Sequence, residues 1–223
     1  RNAKKLITLN EDMKKEIINR SKTKSEIFIL NNPSVHFKEL SNLEKKKGFS
    51  FSGNAGRFQR IPLLIESIEK YHLQGGKMKF IFAGGGIYSN KLKRLADKNA
   101  LVKYLGIISA NEAANLSQIY EWALLPIEDK VTPFAFPSKA SSYVVTNAKI
   151  LAICGYKTSI SKWVKKYKLG ITSLPTNNSL IDNFHKIENG WNGNTKIDMK
   201  RIKLKKELDP NLFIQKLENI IFT

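Results

Sequence analysis

Cysteine is nearly absent from this 223-residue chain, which has only Cys154. One cysteine excludes an intramolecular disulfide framework and a cysteine-based zinc cluster, and a reducing compartment is the simpler setting. Histidine is almost as scarce. His36, His72 and His185 stand alone without metal-ligand spacing and read as surface or packing residues. No uninterrupted apolar run approaches the roughly 20 residues needed to span a bilayer. The chain opens on Arg1 rather than Met, and its first 15 residues hold no apolar block. It therefore lacks a signal-peptide pattern and reads as a piece of something longer. Acidic residues are also few: 19 Asp+Glu face 38 Lys+Arg, a net charge of +19.

What is present is enough for a core. Hydrophobic residues make up 42% of the chain, which argues against a disordered basic tail. The positive excess suits polyanionic surroundings: nucleic acid, an anionic membrane face or phosphorylated small molecules. Equally, it is read as solubility plus a lysine-rich coding bias. No zinc finger, basic zipper or RNP-type motif occurs, so no nucleic-acid partner is expected.

Strand-like and helix-like segments alternate throughout. KLITL at Lys5 and EIFIL at Glu26 read as strands, with Asn10 capping the helix between them. Ser34–Lys47 reads as a polar linker ending in lysines. FSFSG at Phe49 opens a third strand, and Ile61, Leu64, Ile65 and Ile68 repeat at helical spacing until Gly75-Gly76. KFIFA, LVKYL, WALLPI, KILAIC and GITS follow as strands. Helices are expected over 91–98, 111–121 (capped by Ser109 or Asn111), 138–147, 160–168, 179–187 and 210–222. Continuous apolar strands alternating with helices mean a parallel sheet covered on both faces. The fold class is α/β, a Rossmann-like doubly wound sheet from residue 48 to 223. Such sheets bind ligands beyond the carboxyl ends of their strands.

Three loops could carry chemistry. Gly53-Asn54-Ala55-Gly56 joins a strand to a helix, with Arg57 and Arg60 nearby. It suits a diphosphate resting on backbone amides and a helix start, or is a purely structural tight turn. Gly84-Gly85-Gly86 either admits a ligand close to the backbone or is a flexible turn. In Pro137-Ser138-Lys139, Ser138 can cap the next helix and Lys139 falls in its first turn. A cation is disfavoured at the positive helix end unless it faces a bound anion or open solvent. Cys154 reads as a buried small hydrophobe. The amphipathic segment from Trp163 to Tyr167 could meet a membrane or be an ordinary solvated helix.

The ordered set FSGNAGRFQRIPLLIESI, KFIFAGGG, ALVKYLGIISANEA, WALLPI, PSKASSYVVTNAKILAI and KLGIT resembles the C-terminal half of GT-B-fold glycosyltransferases of the "glycosyl transferases group 1" type. The likeness runs from about Phe49 to Phe184 and is nearest the bacterial polysaccharide and O-antigen branch. Residues 1–47 look like the end of the family's N-terminal domain and the interdomain linker, and the last helix like the one that packs back on that domain. The resemblance implies a retaining hexosyl or N-acetylhexosaminyl transferase, with catalytic residues mostly in the missing domain. It implies a UDP-sugar or GDP-sugar donor, no metal or other cofactor, and a lipid-linked saccharide acceptor. The setting implied is cytoplasmic, peripheral on the inner face of the cytoplasmic membrane, where an anionic surface would attract the lysines.

It also implies donor-binding roles. Gly53, Asn54 and Gly56 would face the diphosphate, with Gly84 and Gly85 beside them. Asn54 and Gln59 fall where the family carries Arg and Lys, so Lys139 with Arg57 or Arg60 would replace those charges. Tyr104, Gly106 and Ile108 match the segment that meets the base. Pro137, Ser138 and Lys139 match the family's P-S-K. Ser142 stands where a glutamate usually binds the ribose, Phe134 where the first acid of a pair would fall, and Asn147 and Lys149 replace a glycine and a proline. Loss of both acids leaves a non-catalytic nucleotide-binding module as the alternative reading.

Overall fold

The computed structural model describes residues 3–37, 44–191 and 199–222. The first strand, β1 (Lys5–Thr8), is followed by α1 (Glu11–Ser21) and β2 (Glu26–Ile29), and the two strands pair in parallel as a small separate sheet. Asn10 caps α1 as expected, its side chain accepting from the Met13 amide at 2.9 Å.

The main body is a six-stranded parallel sheet. Its elements run β3 (Lys46–Ser52), α2 (Ile61–Leu73), β4 (Phe80–Ala83), α3 (Ser89–Lys98), β5 (Val102–Tyr104), α4 (Ala110–Ile119), β6 (Tyr120–Pro126), α5 (Lys139–Val145), β7 (Lys149–Ile153), α6 (Ser159–Lys166), β8 (Gly170–Ser173) and α7 (Asn177–Glu188). Two last helices follow, α8 (Met199–Glu207) and α9 (Pro210–Phe222). Strand order is β5-β4-β3-β6-β7-β8. This is the doubly wound order, and it reverses between β3 and β6, where such sheets open a ligand crevice.

Both faces are covered, which is why the strands are apolar along their whole length. On one face Phe49, Phe51, Phe80, Phe82 and Trp122 pack against Leu64, Ile68, Tyr71 and Phe184. Phe49 stacks on Phe80 with centroids 4.9 Å apart, and Phe184 meets both edge-on. On the other face Leu125, Ile150, Ala152 and Cys154 pack against Tyr143, Val144, Ile160 and Leu204. Cys154 is buried as expected, and burial pushes its thiol pKa up.

Several boundaries differ from the sequence reading. The strand β3 already starts at Lys46, so Lys46 and Lys47 are strand residues rather than linker. The helix expected over 111–121 is α4, and Ser109, not Asn111, caps it: its hydroxyl accepts from the Glu112 amide while Glu112 reaches back to the Ser109 amide. Tyr120 and Glu121 already belong to β6. The lysine-rich stretch around 200–206 is helix α8, an element the sequence reading omitted because its polar lysines mask the buried Leu204. Trp163 is half-buried edge-on to Phe136 at 5.2 Å, so the Trp163–Tyr167 segment packs against the core rather than offering a free apolar face. Among the described residues no helix is long and apolar enough to cross a membrane.

The capping box yields a first prediction. Ser109→Ala removes a reciprocal cap and should cost about 1 kcal/mol in urea unfolding. An unchanged midpoint would show that the box contributes nothing.

Candidate functional site

The crevice at the β3–β6 switch point is bounded by the loop after β3 and the start of α5. There Ser52, Gly53, Ser138, Lys139, Ser142 and Tyr143 line a cavity of 240 Å³, closed by Pro33, Ser34 and Val35 and by Ala110, Ala113 and Ala114 at the start of α4. Lys139 and Ser142 share a face of α5 because they lie three residues apart. Lys139 is half-buried as a residue, but its ammonium nitrogen is shut off from solvent and has no hydrogen-bond partner among the described residues. It lies 4.0 Å above the centre of the Phe51 ring. Burial alone lowers its pKa from 10.5 to about 7. A Cβ on Gly53 would fall 2.7 Å from this nitrogen, so glycine is what leaves the amine room.

The expected caps and charges are arranged differently from the sequence reading. Ser138 makes no side-chain cap bond and has helical backbone angles, so it does not cap α5. The helix start expected beside Gly53–Gly56 lies further along: α2 begins only at Ile61, after a turn over 57–60, with Arg60 in the left-handed region. Arg60 is committed elsewhere. Its guanidinium donates to the Ile127 carbonyl and to Asp129 at 2.9 Å, with Glu128 at 3.2 Å. It is thus neutralised by two carboxylates and is not the spare cation for a diphosphate. Arg57 is exposed.

The three glycines at 84–86 form a hydrogen-bonded turn. They are where two loops interlock. The Gly53 amide donates to the Ala83 carbonyl at 2.9 Å and the Ala55 amide to the Gly85 carbonyl at 2.7 Å. The Gly84 amide donates to the Gly106 carbonyl at 2.6 Å, and the Tyr104 hydroxyl to the Gly84 carbonyl at 2.8 Å. This lattice fixes Gly53 opposite Lys139. Asn54 turns its side chain onto Gly86, and Gly56 is buried under Asn54 and Gln59. Ile108 packs against Ile81, Ala83 and Leu116.

Of the expected site residues, then, Gly53, Ser138, Lys139 and Ser142 line one cavity. Asn54, Gly56, Arg57, Gln59, Gly84, Gly85, Tyr104, Gly106, Ile108 and Pro137 do not line it. Sequence reasoning missed Pro33, read as the end of a turn, and Ser34 and Val35, read as linker. It also missed the small side chains Ala110, Ala113 and Ala114, whose clustering at one helix start was the available signal. Phe134 is 50% exposed, with the Arg20 guanidinium 4.7 Å above its ring. Among the described residues no group of three or more His, Cys, Asp or Glu could hold a metal ion.

The same architecture recurs in proteins of known structure. No protein-family model matches the chain. The mutant S. aureus TarM in complex with Fondaparinux, alpha-GlcNAc-glycerol and UDP superposes with a TM-score of 0.69 at 15% identity, over 97% of this chain and 43% of that one. The lipopolysaccharide outer core galactosyltransferase WaaB gives 0.65 at 17% identity, over 99% of this chain and 62% of that one. This is the Rossmann-like fold of a GT-B glycosyltransferase half. In sequence, a probable glycosyltransferase, WbjE of Pseudomonas aeruginosa, is 25% identical over 187 residues, covering 78% of this chain and 46% of that protein. The chain thus resembles a GT-B half and spans less than half the length of this curated relative.

Proposed function

We propose that this chain is the donor-binding half of a glycosyltransferase that moves a sugar from a nucleotide diphosphate to a saccharide acceptor. The observation that carries the reading is the unpartnered Lys139 amine, buried beside Gly53 at the switch point. A buried cation without a partner is costly, and a diphosphate supplies the missing one. When the sugar leaves, negative charge grows on the departing diphosphate. The Lys139 ammonium is pre-placed to offset it, which lowers the barrier without a metal. Ser142, on the same face, offers a hydroxyl to a ribose.

Uridine is the first choice of base, GDP-sugar the second. Support comes from TarM and from the pneumococcal O-GlcNAc transferase GtfA, both solved with UDP. A retaining hexosyl or N-acetylhexosaminyl transfer and a lipid-linked polysaccharide or O-antigen acceptor complete the reading. The relative WbjE supports only the transferase class. Calorimetric titration tests the donor: UDP should bind with a Kd between about 1 µM and about 1 mM, the usual span for enzyme substrates, and more tightly than GDP. Silence at millimolar UDP and GDP would overturn it.

A second reading is a nucleotide-binding module without catalysis. It is favoured by Phe134, which stands where the family's first acid would fall and holds the Arg20 guanidinium. Rejoining the chain to its N-terminal half and assaying transfer separates the two, because turnover excludes the second.

A further inference from the structure

The opposite end of the sheet carries a second concavity with a different chemistry. The amino-terminal ends of β3, β4 and β5 surround a hollow of 700 Å³. Lys46 and Lys47 come from the start of β3, Lys77 and Lys79 from the approach to β4, and Lys103 from β5. Far apart in sequence, they are gathered by parallel register: Lys103 pairs with Ile81 across the sheet, and the Phe49 amide bonds the Lys79 carbonyl. Ile81, Met78, Leu101 and the Tyr120 ring also line the hollow.

All five lysines are exposed, and none is in an ion pair among the described residues. Elsewhere lysines do pair, as Lys70 does with Glu66 and Lys149 with Glu121. Among the described residues the one carboxylate lining the hollow, Glu188, accepts from the Tyr71 hydroxyl and the Lys77 amide. Five like charges converge on one concave surface against a single carboxylate, Glu188. Self-repulsion makes that unfavourable in the empty state, and low-dielectric walls focus the field on whatever enters. Lysine is a compact point charge with three donors, suited to phosphate oxygens.

We propose that this hollow binds a multiply phosphorylated anion, as a site separate from the donor crevice. Seven residues of β3 lie between the two ends, about 20 Å at strand rise. The phosphates can belong to a free polyphosphate or to a lipid headgroup.

The test uses the Lys139→Ala chain, so that the donor crevice does not contribute, with inorganic tripolyphosphate as probe. Lys47→Glu/Lys77→Glu/Lys103→Glu should weaken binding about tenfold or more and flatten its salt dependence. Reversing three lysines away from the hollow, Lys15, Lys24 and Lys157, should change it little. In the Lys139-containing chain the hollow variant should leave UDP binding intact, so failure here and failure of the donor reading are distinguishable. A parallel arm measures co-sedimentation with vesicles of cardiolipin, whose headgroup carries two phosphates, and of phosphatidylcholine. Hollow-dependent binding to tripolyphosphate identifies the free anion; hollow-dependent binding only to cardiolipin identifies the headgroup. Equal loss in the hollow and control variants, or binding to neither probe, overturns the proposal. The substituted side chains are exposed, and circular dichroism checks that the fold is kept.

Discussion

Lys139→Met should make the free chain more stable and at the same time lower its UDP affinity about 100-fold. Both effects come from one nitrogen. In the free chain that nitrogen is buried with no hydrogen-bond partner among the described residues, and the Phe51 ring lies 4.0 Å away. A cation–π contact returns a fraction of the desolvation cost. Methionine fills similar space without a charge, so the variant should gain about 1–3 kcal/mol. The pH dependence gives this prediction its sign. The amine titrates near 7 when folded against 10.5 in its ordinary state. Between those values the unfolded chain holds more protons, so the parent's stability rises with pH across that window. The methionine advantage is therefore full below pH 7 and fades toward pH 10.5. Binding runs the other way. A diphosphate needs the ammonium, and two charge-assisted hydrogen bonds at about 1.5–3 kcal/mol each cover the predicted loss. Parent affinity for UDP should then fall as pH rises from 7 to 9, with proton uptake on binding. Titration in buffers of different ionisation heat counts those protons. A variant that binds UDP like the parent, or that is less stable below pH 7, would sink the assignment.

How much of this was legible beforehand differs between fold and site. Strands such as KFIFA and KILAIC declare themselves because a parallel sheet buried on both faces demands unbroken apolar runs. Asn10 was readable as a cap for the same local reason. Helix α8 was not, because burial of Leu204 against the second face is a tertiary fact. The site was legible as positions but not as states. Lys139 stood out as a cation at a helix start, yet its loss of solvent depends on Phe51 and Gly53, more than eighty residues earlier in the chain. Arg57 and Arg60 looked equivalent in sequence. Asp129 and Glu128, brought in by the loop after β6, make them unequal. Asn147, standing where the resemblance expects glycine, adopts φ +57. Asparagine tolerates that region, so this departure leaves the turn intact. The lysine hollow was invisible for a further reason: its members sit at three strand starts, and only register unites them.

Gly84→Ala should be among the most damaging small substitutions at the described residues, at about 3 kcal/mol or more. Two effects combine there. The residue has φ +117, which L side chains rarely adopt, and a Cβ would fall 2.0 Å from the Gly53 carbonyl oxygen. That oxygen is backbone and cannot swing aside as a side chain could. Gly75 separates strain from clash. It has φ +87, and nothing lies within 4 Å of where its Cβ would stand, so Gly75→Ala should cost only about 1 kcal/mol. Chemical denaturation of both variants measures the difference. Equal losses would mean that backbone strain alone decides, and that the interlocked loops are loose. Because Gly53 sits between the lattice and the Lys139 amine, the clash has a second consequence. Any Gly84→Ala chain that still folds must move the Gly53 carbonyl, and its UDP affinity should fall with its stability. Gly75→Ala, remote from the crevice at the far end of α2, should bind UDP like the parent. Tight UDP binding by folded Gly84→Ala would show that the loop lattice does not position the donor site.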